Sequence, residues 1–146
     1  MSRTSSYESI IIKLLNKDKI PFEKEKQFRD LRNGLYRFDF YIPSRKSLIE
    51  VQGEQHFKFT KQFFKKREDF LKAQERDRIK IAYAAANNIP LYIIPFWEIK
   101  NLQSSTDIFN DEFLPNDKFF NDALWREHQK NRRTWYFFHF TTGKLR

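Results

Sequence analysis

The sequence predicts one α/β domain in which helices flank a central mixed β-sheet of about four strands. Three observations support this prediction. Apolar residues alternate with charged residues in the first half of the chain, which is typical of strands. Two longer segments repeat apolar residues every three or four positions, which is typical of helices packed on a sheet. A strand, a long helix and a further strand follow one another, and such units form parallel strand pairs.

The first predicted element is a helix that begins after Ser5 or Ser6, both suitable N-caps, and extends to about Asp18. Glu8 interrupts the apolar stripe of this predicted helix. At helical spacing Glu8 lies beside Ile11, so its carboxylate is expected on or near the face that packs against the domain. An acid in the first turn of a helix can also simply stabilise the helix dipole, and that alternative stays open.

Three predicted strands follow, at 22–28, 35–42 and 48–53. The polar turn at 44–47 joins the second and third strands, which predicts an antiparallel hairpin. A period of two puts the apolar residues of the second strand on one face, namely Phe38, Phe40 and Ile42. Asp39 then projects from the opposite face, and Glu50 and Gln52 share a face of the third strand.

A long charged helix is predicted from about Lys61 to Asn87, with Asn88 as its C-terminal stop. The apolar run Leu91–Ile94 predicts a buried strand parallel to the Glu50 strand. The expected core therefore covers residues 1–100.

Residues 101–146 form a predicted C-terminal extension that packs on the core or makes a dimer interface. Within it we expect a polar loop or weakly ordered connection at 101–118, a last helix at 119–129 and an aromatic tail at 130–140.

Charge and composition narrow the classes of function. The 146 residues include 28 Lys and Arg against 19 Asp and Glu, and the net charge of +9 favours a polyanionic partner such as DNA. A basic surface kept for solubility is the alternative. The absence of cysteine excludes disulfides, thiolate catalysis and Cys-bound zinc. Neither a signal peptide nor a segment of transmembrane length is found, so we expect a cytoplasmic protein.

Asp39 and Glu50 are candidate metal ligands. They lie on adjacent predicted strands, where cross-strand neighbours can share one ion if the register brings both to one face. Mg²⁺ or Mn²⁺ prefers such oxygen ligands. Two clustered acids would repel a phosphate, so their presence in a basic protein is best explained by a bound cation.

The pattern Phe38-Asp39-Phe40 followed by Glu50-Val51-Gln52 resembles the PD-(D/E)XK nuclease superfamily, in which an Asp at a strand bend precedes an acid-x-Lys triplet. Residues 49–57, 75–80 and 88–91 resemble the branch of very-short-patch repair and phage homing endonucleases. Glu8 matches an additional helical Glu of phage junction resolvases. The resemblance covers about two thirds of the chain, from residue 5 to residue 97.

This resemblance implies a restriction-endonuclease-like core and a metal-dependent endonuclease acting on duplex or branched DNA, either as a Holliday-junction resolvase or as a homing or nicking enzyme of phage origin. A resolvase would be a homodimer. The implied catalytic residues are Glu8, Asp39, Glu50, Gln52, His56 and Asp77. The implied metal ligands are Asp39, Glu50 and Glu8.

Individual roles follow from the same resemblance. Glu8 would hold a metal-bound water or a second ion, Gln52 would position the nucleophilic water, and His56 would transfer a proton or contact the phosphate. A solvated His56 is the plainer alternative. Asp77 could instead form an ordinary surface pair with Lys80, one turn along the same helix.

The sequence departs from the family pattern at Gln52, where many members have Lys. The missing positive charge is then expected from Lys80, Lys58 or His56. A catalytically inactive nucleic-acid-binding module of the same fold would carry the same departure. Candidate contacts to DNA are Lys58, Lys61, Lys65, Lys66, Arg67 and Lys80, with Lys13 as a further cation.

Overall fold

The computed structural model describes residues 5–53 and 66–115. Its helices are α1 (Ser6–Lys17), α2 (Arg67–Ala86), α3 (Phe96–Ile99) and α4 (Ser105–Ile108). Its strands are β1 (Glu23–Gln27), β2 (Arg37–Ile42), β3 (Ser47–Gln52) and β4 (Leu91–Pro95). They form one sheet in the order β1-β2-β3-β4, in which β1, β2 and β3 pair antiparallel and β3 and β4 pair parallel. The predicted α/β class with a four-stranded mixed sheet is confirmed.

Helix α1 starts where the sequence predicts. The side chain of Ser5 accepts a hydrogen bond from the backbone N–H of Glu8 at 3.1 Å, which satisfies one of the free N–H groups of the first turn. Ile11 and Leu15, four positions apart, are fully buried against the sheet. The helix ends before Asp18, whose carboxylate accepts a hydrogen bond from the backbone N–H of Ser105 at 3.1 Å.

Strands β2 and β3 form the expected hairpin. A single 3₁₀ turn at Pro43–Arg45 and a left-handed Lys46 (φ 49°) reverse the chain between them. The register pairs Phe40 with Ile49 and Ile42 with Ser47. All six residues of β3 are buried, since this strand is central in the sheet and has packed layers on both faces.

Helix α2 crosses from β3 back to β4. Its buried residues are spaced three or four apart: Phe70, Gln74, Asp77, Ile81 and Ala84. Left-handed Asn88 (φ 56°) follows the helix, in agreement with its predicted role as the stop. β4 then pairs with β3 in parallel, with Glu50 opposite Ile93, as predicted.

The two faces of the sheet carry separate apolar clusters. The α2-side cluster comprises Leu31, Phe38, Leu48, Ile81, Ala84, Leu91 and Ile93. The α1-side cluster comprises Ile11, Leu15, Phe40, Ile42, Ile49, Val51, Tyr92, Ile94, Ile99, Ile108 and Phe113. The prediction that Phe38 shares a face with Phe40 and Ile42 was wrong, because Phe38 packs on the α2 side and the alternation of β2 breaks at Asp39, where the pairing with β3 has ended.

Residues 101–115 are folded onto the core. α4 and a 3₁₀ turn at Asp111–Phe113 bury Ile108 and Phe113 in the α1-side cluster. The loop expected at 101–118 is interrupted in its described part by these two short elements, whose buried side chains anchor it to the core. The predicted helix at 119–129 and the aromatic tail lie outside the described residues. Within the described ranges, no helix combines the length and apolar character that crossing a bilayer requires.

Candidate active site

The candidate site lies at the carboxyl end of β3, on the face covered by α2. Residues of a strand point alternately to its two faces, so Leu48, Glu50 and Gln52 share the α2 side. Leu48 continues the apolar cluster, but Glu50 is only 8% exposed and Gln52 only 3%. Two polar side chains buried at successive positions of one face need partners, since burial without hydrogen bonds is costly.

Asp39 supplies the first contact to this strand end. The paired register between β2 and β3 ends at Phe40 and Ile49. Beyond it, Oδ2 of Asp39 accepts a hydrogen bond from the backbone N–H of Val51 at 2.8 Å. The Asp39 side chain thereby links β2 to β3 just beyond the last paired residues of the two strands.

The carboxyl groups of Asp39 and Glu50 are directly coupled. Protein atoms surround the Asp39 carboxyl group densely, although part of the residue's surface is accessible. Burial raises its pKa well above the usual value, and repulsion by Glu50 and a hydrogen bond to Glu50 raise it further. Lys80 and the Val51 N–H oppose this shift without cancelling it. Without a cation, Asp39 therefore tends to keep a proton, within hydrogen-bonding contact of Glu50.

Lys80 of α2 provides the positive charge at this site. Its ammonium group forms an ion pair with Glu50, and the two side chains are only 12% and 10% exposed. Burial, the largest influence, lowers the pKa of Lys80, but attraction by Glu50, Asp39 and Asp77 outweighs it, so the pKa is raised. The ammonium group also lies 5.2 Å from the centre of the Phe38 ring. Lys80 therefore stays charged inside the domain and faces three acidic side chains.

Gln52 occupies the position at which the family pattern has Lys. Its Oε1 atom is buried and accepts no hydrogen bond from any residue in the described part of the chain. A buried acceptor of this kind is where a water molecule, an ion or a ligand group is expected. The amide thus lies two residues beyond Glu50, on the same face, with an acceptor available for such a group.

Helix α2 adds two further polar residues. Asp77 is 8% exposed and attracts Lys80, one turn further along, so this pair is buried within the domain and differs from the surface arrangement considered from the sequence. Gln74, one turn before Asp77, is 1% exposed on the same side of the helix. The sequence reasoning missed Gln74. Its spacing of three from Asp77 was the available signal.

Glu8 is engaged elsewhere. Its carboxylate forms an ion pair with Lys24 of β1 and accepts a hydrogen bond from the Ser5 hydroxyl at 3.3 Å. Lys24 in turn lies 4.3 Å from the centre of the Phe40 ring, on the α1 side of the sheet. The groups that act electrostatically on Asp39 and Lys80 do not include Glu8. The structure thus brings Asp39, Glu50, Asp77 and Lys80 together without Glu8.

The remaining sequence candidates divide into two groups. His56, Lys58, Lys61 and Lys65 lie outside the described residues. Lys66, Arg67 and Lys13 are exposed, the first two at the start of α2 and the third on α1. Lys80, expected both as a DNA contact and as a replacement charge, is inside the site and away from these exposed cations.

The chemistry of these side chains fits a hard divalent cation. Among residues 5–53 and 66–115, no three Asp, Glu or His side chains group closely enough to form a ready-made ligand set. Mg²⁺ does not need one, since it commonly takes one or two carboxylates and fills its remaining positions with water and substrate phosphate. Asp39 and Glu50 provide two carboxyl groups that repel each other when both are ionised, and a cation between them would remove that repulsion.

Comparisons with known proteins leave the function of this site open. No family model matches the chain, and no solved structure matches it. A stretch of 67 residues, 44% of the chain, is 36% identical to "Uncharacterized protein 307L" of Invertebrate iridescent virus 6. The matched region spans 34% of the length of that viral protein.

Proposed function

We propose that this protein is a metal-dependent endonuclease that hydrolyses phosphodiester bonds in duplex or branched DNA, with a restriction-endonuclease-like core. The observation that carries the proposal is the meeting of Asp39, Glu50 and Lys80 at the carboxyl end of β3. Two coupled acids and one buried cation suit a reaction in which a metal ion and a phosphate occupy the same site.

Asp39 and Glu50 would hold Mg²⁺ or Mn²⁺. The ion would lower the pKa of a bound water and screen the charge that develops on the phosphate. Asp39 is held for this task by the Val51 N–H, which fixes the carboxylate beside β3. The Asp39 carboxyl group also lies within hydrogen-bonding contact of Glu50. Both ligands therefore depend on the β2–β3 hairpin, a local part of the fold.

Lys80 would supply the charge that Gln52 lacks. A buried, permanently charged ammonium group stabilises negative charge on a phosphate more strongly than a solvated one, because less water screens it. In the free protein Lys80 neutralises Glu50. A bound cation would take over that role and leave the ammonium group available to the phosphate, while Asp77 would keep Lys80 oriented.

Gln52 would position the attacking water. Its unpartnered Oε1 can accept a hydrogen bond from water, which orients the water without removing its proton. The Glu50–Lys80 ion pair also supports the alternative, a nucleic-acid-binding module of the same fold without catalysis, because the pair already neutralises one acid. The two functions differ in the role of a cation at Asp39: the endonuclease requires it for cleavage, and the binding module does not.

The decisive experiment is a cleavage assay on supercoiled plasmid and on a synthetic four-way junction, with Mg²⁺, with Mn²⁺ and with EDTA. We expect metal-dependent cleavage, reduced by at least about 1,000-fold in Asp39→Asn and Glu50→Gln, which corresponds to about 4 kcal/mol of transition-state stabilisation. Glu68→Gln, an acid in the first turn of α2 whose side chain is 70% exposed, is the matched control. Binding of both DNAs without cleavage under either metal would support the inactive module.

A charge swap tests the role of Lys80. Lys80→Gln should abolish cleavage, and adding Gln52→Lys should restore part of it, because the second change returns a cation to the position used in the family pattern. Circular dichroism of each variant checks that the fold is kept. If Lys80→Gln cleaves as fast as the wild type, Lys80 has no part in the reaction.

A further inference from the structure

The turn that precedes β2 carries an arrangement that the candidate site does not use. Residues 28–36 lead from β1 into β2, and three consecutive residues in this turn have positive φ: Arg32 (48°), Asn33 (54°) and Gly34 (79°). Glycine adopts this conformation freely, but an arginine in it costs roughly 1 kcal/mol. A conformation of this kind persists only where surrounding contacts impose it, and such positions are common at functional sites.

Hydrogen bonds impose the strained conformation. The backbone N–H of Gly34 donates to the carbonyl of Leu31 at 2.9 Å, and that of Leu35 donates to the carbonyl of Arg32 at 3.0 Å. The side-chain amide of Gln27 donates to the carbonyl of Gly34, also at 2.9 Å. Leu31 is buried in the α2-side cluster and anchors the turn on the same side of the sheet as the candidate site.

The strained turn brings two arginines to one tyrosine ring. The guanidinium carbon of Arg32 lies 5.9 Å from the centre of the Tyr36 ring, and that of Arg76, on α2, lies 5.7 Å from it. Both arginines are exposed, and Tyr36 is half-buried. Within the described ranges neither guanidinium forms an ion pair. Two like charges thus lie at one ring, and neither is in an ion pair with an acid of the described residues, an arrangement that an anion would stabilise.

The position of Arg76 relates this arrangement to the candidate site. Arg76 lies four residues before Lys80, so the two side chains leave α2 on the same side, about 6 Å apart along its axis. Two cations at this separation can contact phosphates that are close together on one strand. Leu35, next to Tyr36, is 73% exposed and is the most exposed large apolar residue of the described chain. An exposed apolar side chain beside arginines suits the surface of a nucleic acid, where it can contact sugars and bases.

We propose that Arg32, Tyr36 and Arg76 form a clamp for a backbone phosphate of DNA, next to the phosphate that the candidate site would cleave. The clamp rests on the proposed function for the position of the cleaved phosphate, but its affinity for DNA can be measured without cleavage. Arg76 reaches from the helix that carries Lys80 and Asp77, and Arg32 reaches from the turn that leads to Asp39. Helix α2 and the turn before β2 would therefore each contribute to the candidate site and also contact the DNA strand.

The test measures binding of a fluorescein-labelled synthetic duplex by fluorescence anisotropy in EDTA, over a series of salt concentrations. Arg32→Gln and Arg76→Gln should each weaken binding about tenfold and reduce the slope of log affinity against log salt by about 1. The double variant should reduce the slope by about 2. Arg45→Gln is the matched control, since Arg45 is also exposed and also stacked on an aromatic ring, that of Phe109 at 4.1 Å, but lies in the β2–β3 turn. It should leave the slope unchanged.

Arg32→Gly separates binding from structure. Glycine relieves the positive φ, so the melting temperature should equal or exceed that of the wild type while binding weakens as in Arg32→Gln. If Arg32→Gln and Arg76→Gln lower only the melting temperature and bind the duplex like the wild type, the arginines merely stack on Tyr36 and the clamp is refuted. Failure of the wild type to bind the duplex also refutes it.

The clamp and the proposed function fail in different ways. A wild type that binds through both arginines but cuts no DNA supports the clamp and overturns the endonuclease. A wild type that cuts, while Arg32→Gln and Arg76→Gln show unchanged affinity and unchanged KM, overturns the clamp and supports the endonuclease. Should both hold, the arginine variants will raise KM with little change in kcat, because the clamp binds substrate and transition state alike.

Discussion

The two faces of the sheet are built from the same strands but differ in the polarity of their buried side chains. The α1-side cluster is apolar throughout and recruits side chains from α1, α3, α4 and the 3₁₀ turn at Asp111–Phe113. The α2-side cluster is apolar at the start of β3 and along β4, where Leu48, Leu91 and Ile93 pack against the later half of α2. Towards the carboxyl end of β3 it gives way to Glu50 and Gln52.

This difference separates stability from chemistry. Buried apolar area stabilises a domain without directional requirements, whereas buried charges are costly and are kept where they have another use. The α1 side can therefore support the domain while the α2 side tolerates three acidic side chains around one lysine. The test with the largest expected effect removes the same apolar volume from each face of the sheet.

Ile93 and Ile94 allow that test, since they are adjacent in β4, fully buried and in opposite clusters. Replacing either by Ala should lower the free energy of unfolding by about 2–5 kcal/mol in urea denaturation, through lost burial and the cavity left behind. Ile93 pairs with Glu50, so Ile93→Ala should also slow cleavage at temperatures at which both variants are folded. Equal cleavage by the two folded variants would contradict the division between the faces.

Removal of a buried charge should have the next largest effect. Lys80→Met leaves Glu50 and Asp77 without their cation and should cost about 3 kcal/mol in the absence of metal. Mg²⁺ should recover part of this loss, because it supplies positive charge at the same carboxylates. Lys24→Met is the control: its ion pair with Glu8 is on the α1 side, the Lys24 side chain is 25% exposed, and its loss should cost about 1 kcal/mol or less, independent of Mg²⁺. A metal response in both variants would argue against a site at Glu50.

Asp39→Asn should stabilise the protein while it removes activity. The pKa of Asp39 in the folded protein lies above its usual value of 3.8, so the folded state binds a proton that the unfolded state releases, and stability falls as pH rises through this window. Asn removes that penalty and can still accept the hydrogen bond from the Val51 N–H. We expect a gain of about 1 kcal/mol at neutral pH, by thermal melting in EDTA, that shrinks towards acid pH. A loss of stability would show that Asp39 contributes a favourable charge.

Tyr83→Phe should have the smallest effect, on the apolar part of the α2 side. The Tyr83 hydroxyl donates to the Asp30 carboxylate at 2.6 Å, and burial and this bond raise the pKa of Tyr83 to about 12. The raised pKa means that the bond stabilises the fold below the unfolded pKa of 10.0 and that this contribution is lost as pH rises towards about 12. The variant should lose about 1 kcal/mol at neutral pH and less at alkaline pH, by urea denaturation. A deficit that does not change with pH would show that the hydroxyl acts through packing alone.

Local features of the chain were predicted well because their causes are local. Ser5 caps α1 through its own side chain, and the short turn at Pro43–Arg45 imposes an antiparallel hairpin on β2 and β3. The parallel pairing of β3 with β4 follows from the length of the crossing helix. The approach of Asp39 to Glu50 is a consequence of the hairpin, so two candidate ligands could be inferred before the fold was known.

Contacts between distant elements were decided only by the tertiary structure. Helical periodicity left Glu8 equally able to face a site or to stabilise a helix, and the nearby β1 strand provides Lys24 for it. Periodicity also placed Phe38 beside Phe40, because no pattern in the sequence reports the break in alternation at Asp39 that sends the two rings to opposite clusters. Arg32 and Arg76 are far apart in the chain but lie near the same Tyr36 ring, and no local pattern in the sequence indicates this.

The sequence by itself determined the α/β class, the β2–β3 hairpin and the two acids at its open end, since these depend on residue spacing and turn chemistry. Only the tertiary structure decided which cation meets those acids. The sequence offered Lys58, Lys80 and His56 on equal terms, and the packing of α2 across the sheet brings Lys80 to Glu50. The physical reason is that side-chain encounters between a helix and a sheet depend on how the whole layer packs, to which every buried residue of α2 contributes.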